Sequence, residues 1–225
     1  MYYWTVVAVV VVAVCSCERG SFSITPVPVS ETEDAPPATT PEQLLDNLDR
    51  AMRDRDKALY ETLLDEDFQF TEFDCLGNIV FYNDLETELN IIVGSRDDRE
   101  NSSSTEKALF DIFSEFHYDF HFLLRWQELG SEHPETFPGD PDAHPDEYWE
   151  VFSGRVLMRM LDENGDGYSV DQPMTFKVRY DEKGLWRIVR WIDDPLTGSC
   201  GSGEILMKAS TWGSIKSTIF SIGSS

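Results

Sequence analysis

One stretch of the chain places acid–base side chains at every second position. His117, Asp119 and His121 alternate with aromatic residues in the segment FHYDFHF. Because side chains along a β-strand alternate between two faces, these three residues share one face of a predicted strand. On a cavity wall they could act as acid and base or polarise a ligand, since an imidazole beside a carboxylate titrates near neutral pH. Two imidazoles and a carboxylate could also hold a divalent metal.

The alternative for this segment is a half-buried strand. Strict alternation with Phe and Tyr favours an arrangement in which the aromatic face is buried and the histidine face is wet. No nucleophile and no glycine-rich phosphate loop accompany the three residues in the sequence. The sequence therefore predicts no cofactor.

The segment DENGDG matches the first half of a calcium loop. Asp162, Asn164 and Asp166 occupy the oxygen-ligand positions, and Gly167 follows where the loop needs glycine. The twelfth position should be a bidentate Glu, and here it is Pro173. Asn-Gly and Asp-Gly are also ordinary hairpin residues. The pattern favours a turn between two strands, with calcium as the alternative.

Basic residues recur on the predicted late strands. They are Arg155, Arg159, Lys177, Arg179 and Arg187. If the strands register as expected, several of them share one sheet face and form a positive patch suited to an anionic ligand or an acidic partner segment. The alternative, which is typical of surface charge, is a solvated face paired with nearby acids. The acidic loop 130–147 is a candidate for that pairing.

The overall charge excludes some partners. The 225 residues include 42 acidic and 18 basic side chains, for a formal net charge of −24. A phosphate backbone would be repelled, so nucleic acid is not expected as a partner. The same charge argues against docking on anionic lipid headgroups through the folded surface.

Residues 1–17 predict a targeting segment rather than a part of the folded domain. They read MYYWTVVAVVVVAVCSC, an uncharged apolar run that is too short for a comfortable transmembrane helix and typical of a secretory signal peptide. Val14-Cys15-Ser16-Cys17 resembles the lipobox of bacterial lipoproteins, which implies cleavage before Cys17 and a lipid on its sulfur and new amino terminus. An uncleaved anchor and ordinary signal cleavage are the alternatives. The predicted location is the cell envelope, lipid-anchored or secreted.

The rest of the chain divides into a spacer and one domain. Residues 18–40 are rich in Pro, Ser, Thr and Glu without hydrophobic period, which predicts a flexible tether. Residues 41–225 form the predicted domain. It retains Cys75 and Cys200, which could pair in an oxidising envelope.

Helices precede strands in this domain. Thr40 and Pro41 begin a predicted helix that breaks near residues 54–56, and a second helical face follows. A hairpin then leads to a third helix capped by Asn83. Long strands are predicted at 116–122, 149–161, 168–180 and 185–193. This order predicts an α+β fold, with a curved antiparallel sheet packed against amino-terminal helices.

The order of elements resembles the nuclear transport factor 2-like fold, the cone-shaped fold also used by ketosteroid isomerases and polyketide cyclases. The opening AMRDRDKALYETLLDEDFQF and the close LWRIVRWIDDP are similar to the first and last segments of that family. The segment TWGSIKSTIF looks like the tail of secreted bacterial members. The resemblance covers roughly residues 41–220, and it implies an Asp or Tyr in the cone wherever a member is an isomerase or cyclase. The catalytic positions of those enzymes match no residue here one by one.

Three functional hypotheses follow from the sequence. The first is a membrane-tethered, non-catalytic domain that binds a small molecule or a protein. The second is an acid–base enzyme of isomerase, lyase or cyclase type, with His117, Asp119 and His121 facing an enclosed cavity. The third is a homodimer formed through a sheet face or a Trp-bearing edge.

Overall fold

The computed structural model describes residues 35–74, 76–94, 107–130, 147–194 and 211–223, with side chains described as far as residue 218. The helices in these ranges are α1 Pro41–Asp54, α2 Lys57–Leu63, α3 Leu85–Ile92, α4 Leu109–Ile112 and α5 Trp212–Gly223. The strands there are β1 Leu64–Phe73, β2 Ile79–Asp84, β3 Glu115–Leu129, β4 Tyr148–Leu161, β5 Gly167–Tyr180 and β6 Trp186–Asp193. The predicted α+β class is confirmed.

The six strands form one curved, open sheet in the order β2-β1-β6-β5-β4-β3. The strands β3 to β6 form the predicted antiparallel meander, and β1 pairs with β2 in the predicted hairpin. The sheet is mixed rather than wholly antiparallel, because β1 and β6 run parallel with Phe70 beside Trp191. After the hairpin the chain passes through α3 and α4 to the far edge of the sheet. The meander then returns β6 to β1 in the same direction.

The predicted aromatic face of β3 is buried in its first part, whereas Phe122 at its far end is 47% exposed. Phe116 and Tyr118 are each 3% exposed, and the ring of Phe120 lies edge-on to Phe176 with centroids 4.8 Å apart. These side chains join residues of α1, α2 and α5 in one hydrophobic core. The helices therefore cover the concave face of the sheet, and the prediction of which face is dry is confirmed for Phe116 and Tyr118.

Caps define the helix ends. The Thr40 hydroxyl accepts from the backbone N–H of Gln43 (3.1 Å), as predicted for the start of α1. Arg55, with φ +54°, ends that helix at the predicted break. For α3 the cap is Asp84 rather than Asn83, since the Asp84 carboxylate accepts from the backbone N–H of Thr87 (2.9 Å). Asn83 is buried instead.

The folded unit begins before the predicted domain boundary. Residues Ala35–Ser225 form one compact unit, so the last residues of the predicted tether 18–40 belong to it. The Ala38 carbonyl accepts from the backbone N–H of Trp186 (2.8 Å), and the Pro36 carbonyl accepts from the Asn47 amide (2.8 Å). These hydrogen bonds to backbone carbonyls, which composition does not reveal, hold the segment before α1 against the fold.

Several predictions fall on residues outside the described ranges. They concern the signal peptide 1–17 with Cys17, the tether as far as residue 34, Cys75, Cys200 and most of the acidic loop 130–147. Within the described part of the chain, none of the helices has the length and hydropathy needed to cross a membrane.

Candidate functional site

The three acid–base residues of β3 lie toward solvent. The side chains of His121 and Asp119 are 66% and 41% exposed, and His117 is also exposed. His121 Nε2 lies 2.8 Å from Asp119 Oδ2. The alternation of β3 explains this placement, because the aromatic residues between them take the buried face. These residues do not line an enclosed cavity.

A surface pocket of about 270 Å³ lies between α1 and β3. Its lining consists of Glu42, Leu45, Asp46, Asp49, Asp119, Phe120 and Phe122. Of the three acid–base residues, only Asp119 reaches it. In the described ranges, no group of three or more His, Cys, Asp or Glu side chains is arranged to hold a metal ion. The pocket is therefore acidic but offers no built metal site.

The predicted basic patch is neutralised locally. Four of its members have carboxylate partners: Arg155 with Asp171, Lys177 with Glu128, Arg179 with Asp65, Asp67 and Glu147, and Arg187 with Asp181. The fifth member, Arg159, lies exposed on β4 beside His117 of β3. Arg179 is the most enclosed of the paired residues, with a side chain that is 12% exposed. The basic side chains therefore fit the alternative of paired surface charge.

The DENGDG segment forms the β4–β5 hairpin. Asp162 Oδ1 accepts from the backbone N–H groups of Asn164 (2.8 Å) and Asp166 (2.9 Å), and Gly165 has φ +83°. These hydrogen bonds lower the pKa of Asp162 against the opposing effect of desolvation. The leading carboxylate of the calcium pattern thus serves as the acceptor that closes a turn.

A buried ion pair lies where α5 covers the concave face. The Lys216 ammonium contacts Glu88 Oε1 at 2.9 Å and Oε2 at 2.7 Å, and both side chains are fully buried. The Tyr60 hydroxyl donates to Oε1 (2.7 Å), and the Asn83 amide donates to Oε2 (2.8 Å). Burial raises the pKa of Tyr60 well above its ordinary value, so the hydroxyl keeps its proton and donates. Every oxygen of this buried carboxylate has donors.

Aromatic rings enclose the same ammonium. Lys216 Nζ lies 3.5 Å from the ring centroid of Phe70 and 5.0 Å from those of Trp191 and Trp212. The Trp191 and Trp212 rings stack with centroids 6.2 Å apart. A cation over ring faces is attracted to their negative centre, most strongly where water is excluded. We call Glu88, Phe70 and Trp191 the ammonium cage, since all three lie outside α5.

Two further carboxyl groups face α5. Asp193 Oδ2 accepts from the backbone N–H of Gly213 (2.9 Å). Desolvation raises the pKa of Asp193 to about 7, and the charge of Lys216 opposes that rise. Desolvation also raises the pKa of Glu72, which interacts with Thr211 at the start of α5 and with the charge of Lys216. The charge of the Lys216 ammonium therefore acts on three acidic side chains, Glu88, Asp193 and Glu72.

The sequence predictions missed this cluster. The sequence prediction places no helix in the tail TWGSIKSTIF, although Trp212, Ile215 and Lys216 have the spacing of one helical face. That spacing is the signal that could have found α5. Its partner Glu88 lies 128 residues earlier in the chain, so their pairing depends on the tertiary fold.

Comparison with protein-family models and with curated proteins gives no match. Solved structures do match. A nuclear transport factor 2-like superfamily protein from Salmonella enterica has 10% identity over 72% of this chain and 93% of that chain, with a TM-score of 0.43. The beta subunit of the benzoate 1,2-dioxygenase from Burkholderia mallei has 10% identity over 72% and 92%, with a TM-score of 0.43. A hexachlorocyclohexane dehydrochlorinase has 13% identity over 67% and 78%, with a TM-score of 0.37.

The order of elements on which the predicted resemblance rests is confirmed by the structure. Helices, a hairpin, a helix and a strand meander follow one another in the expected order. At these identities the likeness extends to the fold alone, and fold does not determine function. The function must be argued from this chain's own residues.

Proposed function

We propose that this chain is a membrane-tethered protein of the cell envelope whose domain binds a small-molecule or protein ligand without transforming it. The apolar segment 1–17 and its lipobox-like end support the tether and a lipid on Cys17. The concave face of the sheet is the proposed binding site. In this fold that face is covered by α5.

The observation that carries the non-catalytic role is the state of the acid–base groups on that face. Glu88 and Lys216 are fully buried and neutralise each other, and Asp193 is 1% exposed. A general acid or base must reach the proton that it transfers. Beneath α5 these groups contact each other and the helix backbone, which is the arrangement of a closed binding site.

An acid–base enzyme of isomerase, lyase or cyclase type is the second candidate. Its support is the Asp193 carboxyl, whose pKa of about 7 suits proton transfer near neutral pH. The Tyr118 hydroxyl is also buried, and it has no hydrogen-bond partner among the described residues. This candidate needs α5 to leave before a substrate could reach either group.

The mass of the amino-terminal segment tests whether a lipid is attached at Cys17. Cys17→Ser should abolish a globomycin-sensitive mass shift and release the protein from the membrane fraction. Cys15→Ser is the matched control, because it changes the neighbouring cysteine and should leave both properties intact. Equal behaviour of the two variants, or retention of residues 1–16 in the wild type, would refute lipid attachment at Cys17.

Binding and turnover are separated by recovering the ligand. A chemical library is screened for compounds that raise the unfolding temperature, since ligands of the folded state stabilise it. Each hit is then incubated with the protein and analysed by mass spectrometry. We expect hits to return unchanged. Conversion of a hit that is lost in Asp193→Asn would replace the binding role with the enzymatic one.

The homodimer stays a prediction. One described surface that could serve it is the distal part of the edge strand β3, where a bulge after Phe122 leaves apolar side chains exposed. These are Leu123, Leu124, Trp126 and Leu129. Light scattering on residues 18–225 tests the prediction, and a monomer mass would count against it.

A further inference from the structure

The contacts of the Lys216 ammonium are similar to those that a protein makes with a bound ligand. Its ammonium is held by Glu88 of α3, Phe70 of β1 and Trp191 of β6, which all lie far from α5 in sequence. The same ammonium is fully removed from water. An organic cation bound to a protein is recognised in this way, by a carboxylate and by the faces of aromatic rings.

The receptor half of this arrangement is built without α5. The Glu88 carboxylate is oriented by the Tyr60 hydroxyl and the Asn83 amide, which come from α2 and β2. The Phe70 ring packs against Phe81 at 5.9 Å and against Trp191 at 6.2 Å. A carboxylate and ring faces that are fixed by their own neighbours are pre-organised for a cation, which reduces the entropic cost of binding.

Nearby carboxylates oppose the desolvation of a cation at this position. Burial lowers the pKa of Lys216, and the charges of Glu88, Asp193 and Glu72 act against that effect. The whole chain carries a net charge of −24, which concentrates cations around the molecule. Without Lys216, the cage would present a buried carboxylate with no compensating charge, and this is costly unless another cation enters.

The hydrogen-bond pattern narrows the chemical class. Lys216 donates to both oxygens of Glu88, and an ammonium has the N–H donors to do so. A quaternary ammonium could face the rings but could not donate to the carboxylate. Lysine carries its ammonium at the end of an aliphatic side chain. The matching ligand is therefore an ammonium group at the end of an alkyl chain.

We infer that the ammonium cage of Glu88, Phe70 and Trp191 is a binding site for a primary alkylammonium ligand, and that Lys216 occupies it as the chain's own competitor. This inference rests on the proposed binding function and names its ligand class. While docked, α5 then blocks the ammonium cage. A free amine enters the cage when α5 detaches.

The test uses Lys216→Ala with n-propylammonium as the probe, because this amine replaces the atoms that the substitution removes. An engineered cavity can bind the fragment that fits it, and binding to the folded state raises stability. We expect n-propylammonium to raise the unfolding temperature of Lys216→Ala in a saturable way. We expect its apparent affinity to exceed that of 1-propanol and of tetramethylammonium about tenfold, since only the primary amine makes charge-assisted hydrogen bonds to Glu88.

Lys216→Met is the matched control. Its side chain fills the same space without charge, so n-propylammonium at equal ionic strength should leave its unfolding temperature unchanged. Equal effects of the amine on both variants, or equal effects of amine and alcohol on Lys216→Ala, would overturn the inference.

A measurement on the wild-type chain covers the case in which Lys216→Ala does not fold. If the amine competes with Lys216, millimolar n-propylammonium should accelerate amide hydrogen exchange in residues 212–218 relative to sodium chloride at equal ionic strength. Unchanged exchange would contradict the competitor role. A screen that yields unchanged ligands without an amine would leave the proposed binding function standing while this inference fails.

Discussion

The Lys216 ammonium lies 2.7 Å from Glu88 Oε2, and neither side chain is exposed to solvent. The pair joins α5 to α3 across 128 residues of sequence. A buried ion pair adds little net stability, because desolvation of two charges offsets their attraction. Removal of one partner is different, since it leaves a buried charge without compensation. Loss of either charge should therefore destabilise the docked α5.

The substitution Lys216→Met should lower the free energy of unfolding by about 3–5 kcal/mol, the range for breaking a buried pair. Methionine fills the space, so the loss reports the uncompensated Glu88 carboxylate rather than a cavity. Urea denaturation followed by tryptophan fluorescence measures it.

The control for this prediction is Lys57→Met. Lys57 contacts Asp111 at 2.7 Å, but the two side chains are 29% and 48% exposed. An exposed pair contributes about 0–1 kcal/mol. The double variant Glu88→Gln/Lys216→Met should lose less than the sum of its single substitutions. Similar losses for Lys216→Met and Lys57→Met would show that the buried pair does not position α5.

The raised pKa of Asp193 predicts a pH dependence of stability. The folded value is about 7, above the ordinary value in an unfolded chain, so the folded state binds the proton more tightly. This contribution is fully present at pH below about 4 and is lost as pH rises to about 7, by up to about 1.4 kcal/mol per pH unit. Asp193→Asn should therefore gain stability relative to wild type across that window, as measured by urea denaturation at each pH.

Asp171→Asn is the reference for that experiment. The hydrogen bond from Arg155 lowers the pKa of Asp171, so its contribution is lost only as pH falls below the ordinary carboxyl range. Between pH 5 and 8 the difference between Asp171→Asn and wild type should be constant. A constant difference for Asp193→Asn as well would contradict the raised pKa of Asp193.

Local patterns made the fold predictable, and long-range pairing limited the prediction of the site. Alternation revealed the dry face of β3, and the sequence around Thr40 revealed the start of α1, because both depend on neighbours along the chain. The parallel pairing of β1 with β6 depends on a crossover that no local pattern encodes. For the same reason the partner of each basic residue could not be identified from the sequence, since Arg179 meets Asp65 across 114 residues.

The close approach of α5 to β1 predicts that Gly213→Ala destabilises the docked helix. A Cβ at residue 213 would overlap Glu72 Oε2 and lie 3.1 Å from Glu72 Cβ. Alanine favours a helix over glycine by about 1 kcal/mol, so a net loss of stability would reveal the contact rather than helix propensity. Hydrogen exchange of residues 212–218 and urea denaturation measure the two effects.

Relief by a second substitution identifies the cause. In Gly213→Ala/Glu72→Ala the obstructing side chain is gone. Protection of the α5 amides from hydrogen exchange should therefore be higher than in Gly213→Ala alone. Ser214→Ala, at an exposed position of the same helix, should leave protection intact. Loss of protection in Ser214→Ala as well would attribute the effect to the helix itself.

The enclosed position of Arg179 predicts that this residue is structural. It donates to Asp65 at 2.6 and 2.9 Å and to Asp67 at 2.7 Å, and the Asp65 side chain is 3% exposed. Arg179→Met should lower the free energy of unfolding by about 3–5 kcal/mol, because it leaves the Asp65 carboxylate buried without its partner. Arg155→Met removes a side chain that is 61% exposed and should leave the free energy of unfolding nearly unchanged. The contrary result would be that inorganic phosphate stabilises the wild type but neither Arg179→Met nor Arg155→Met. The two arginines would then belong to an anion site.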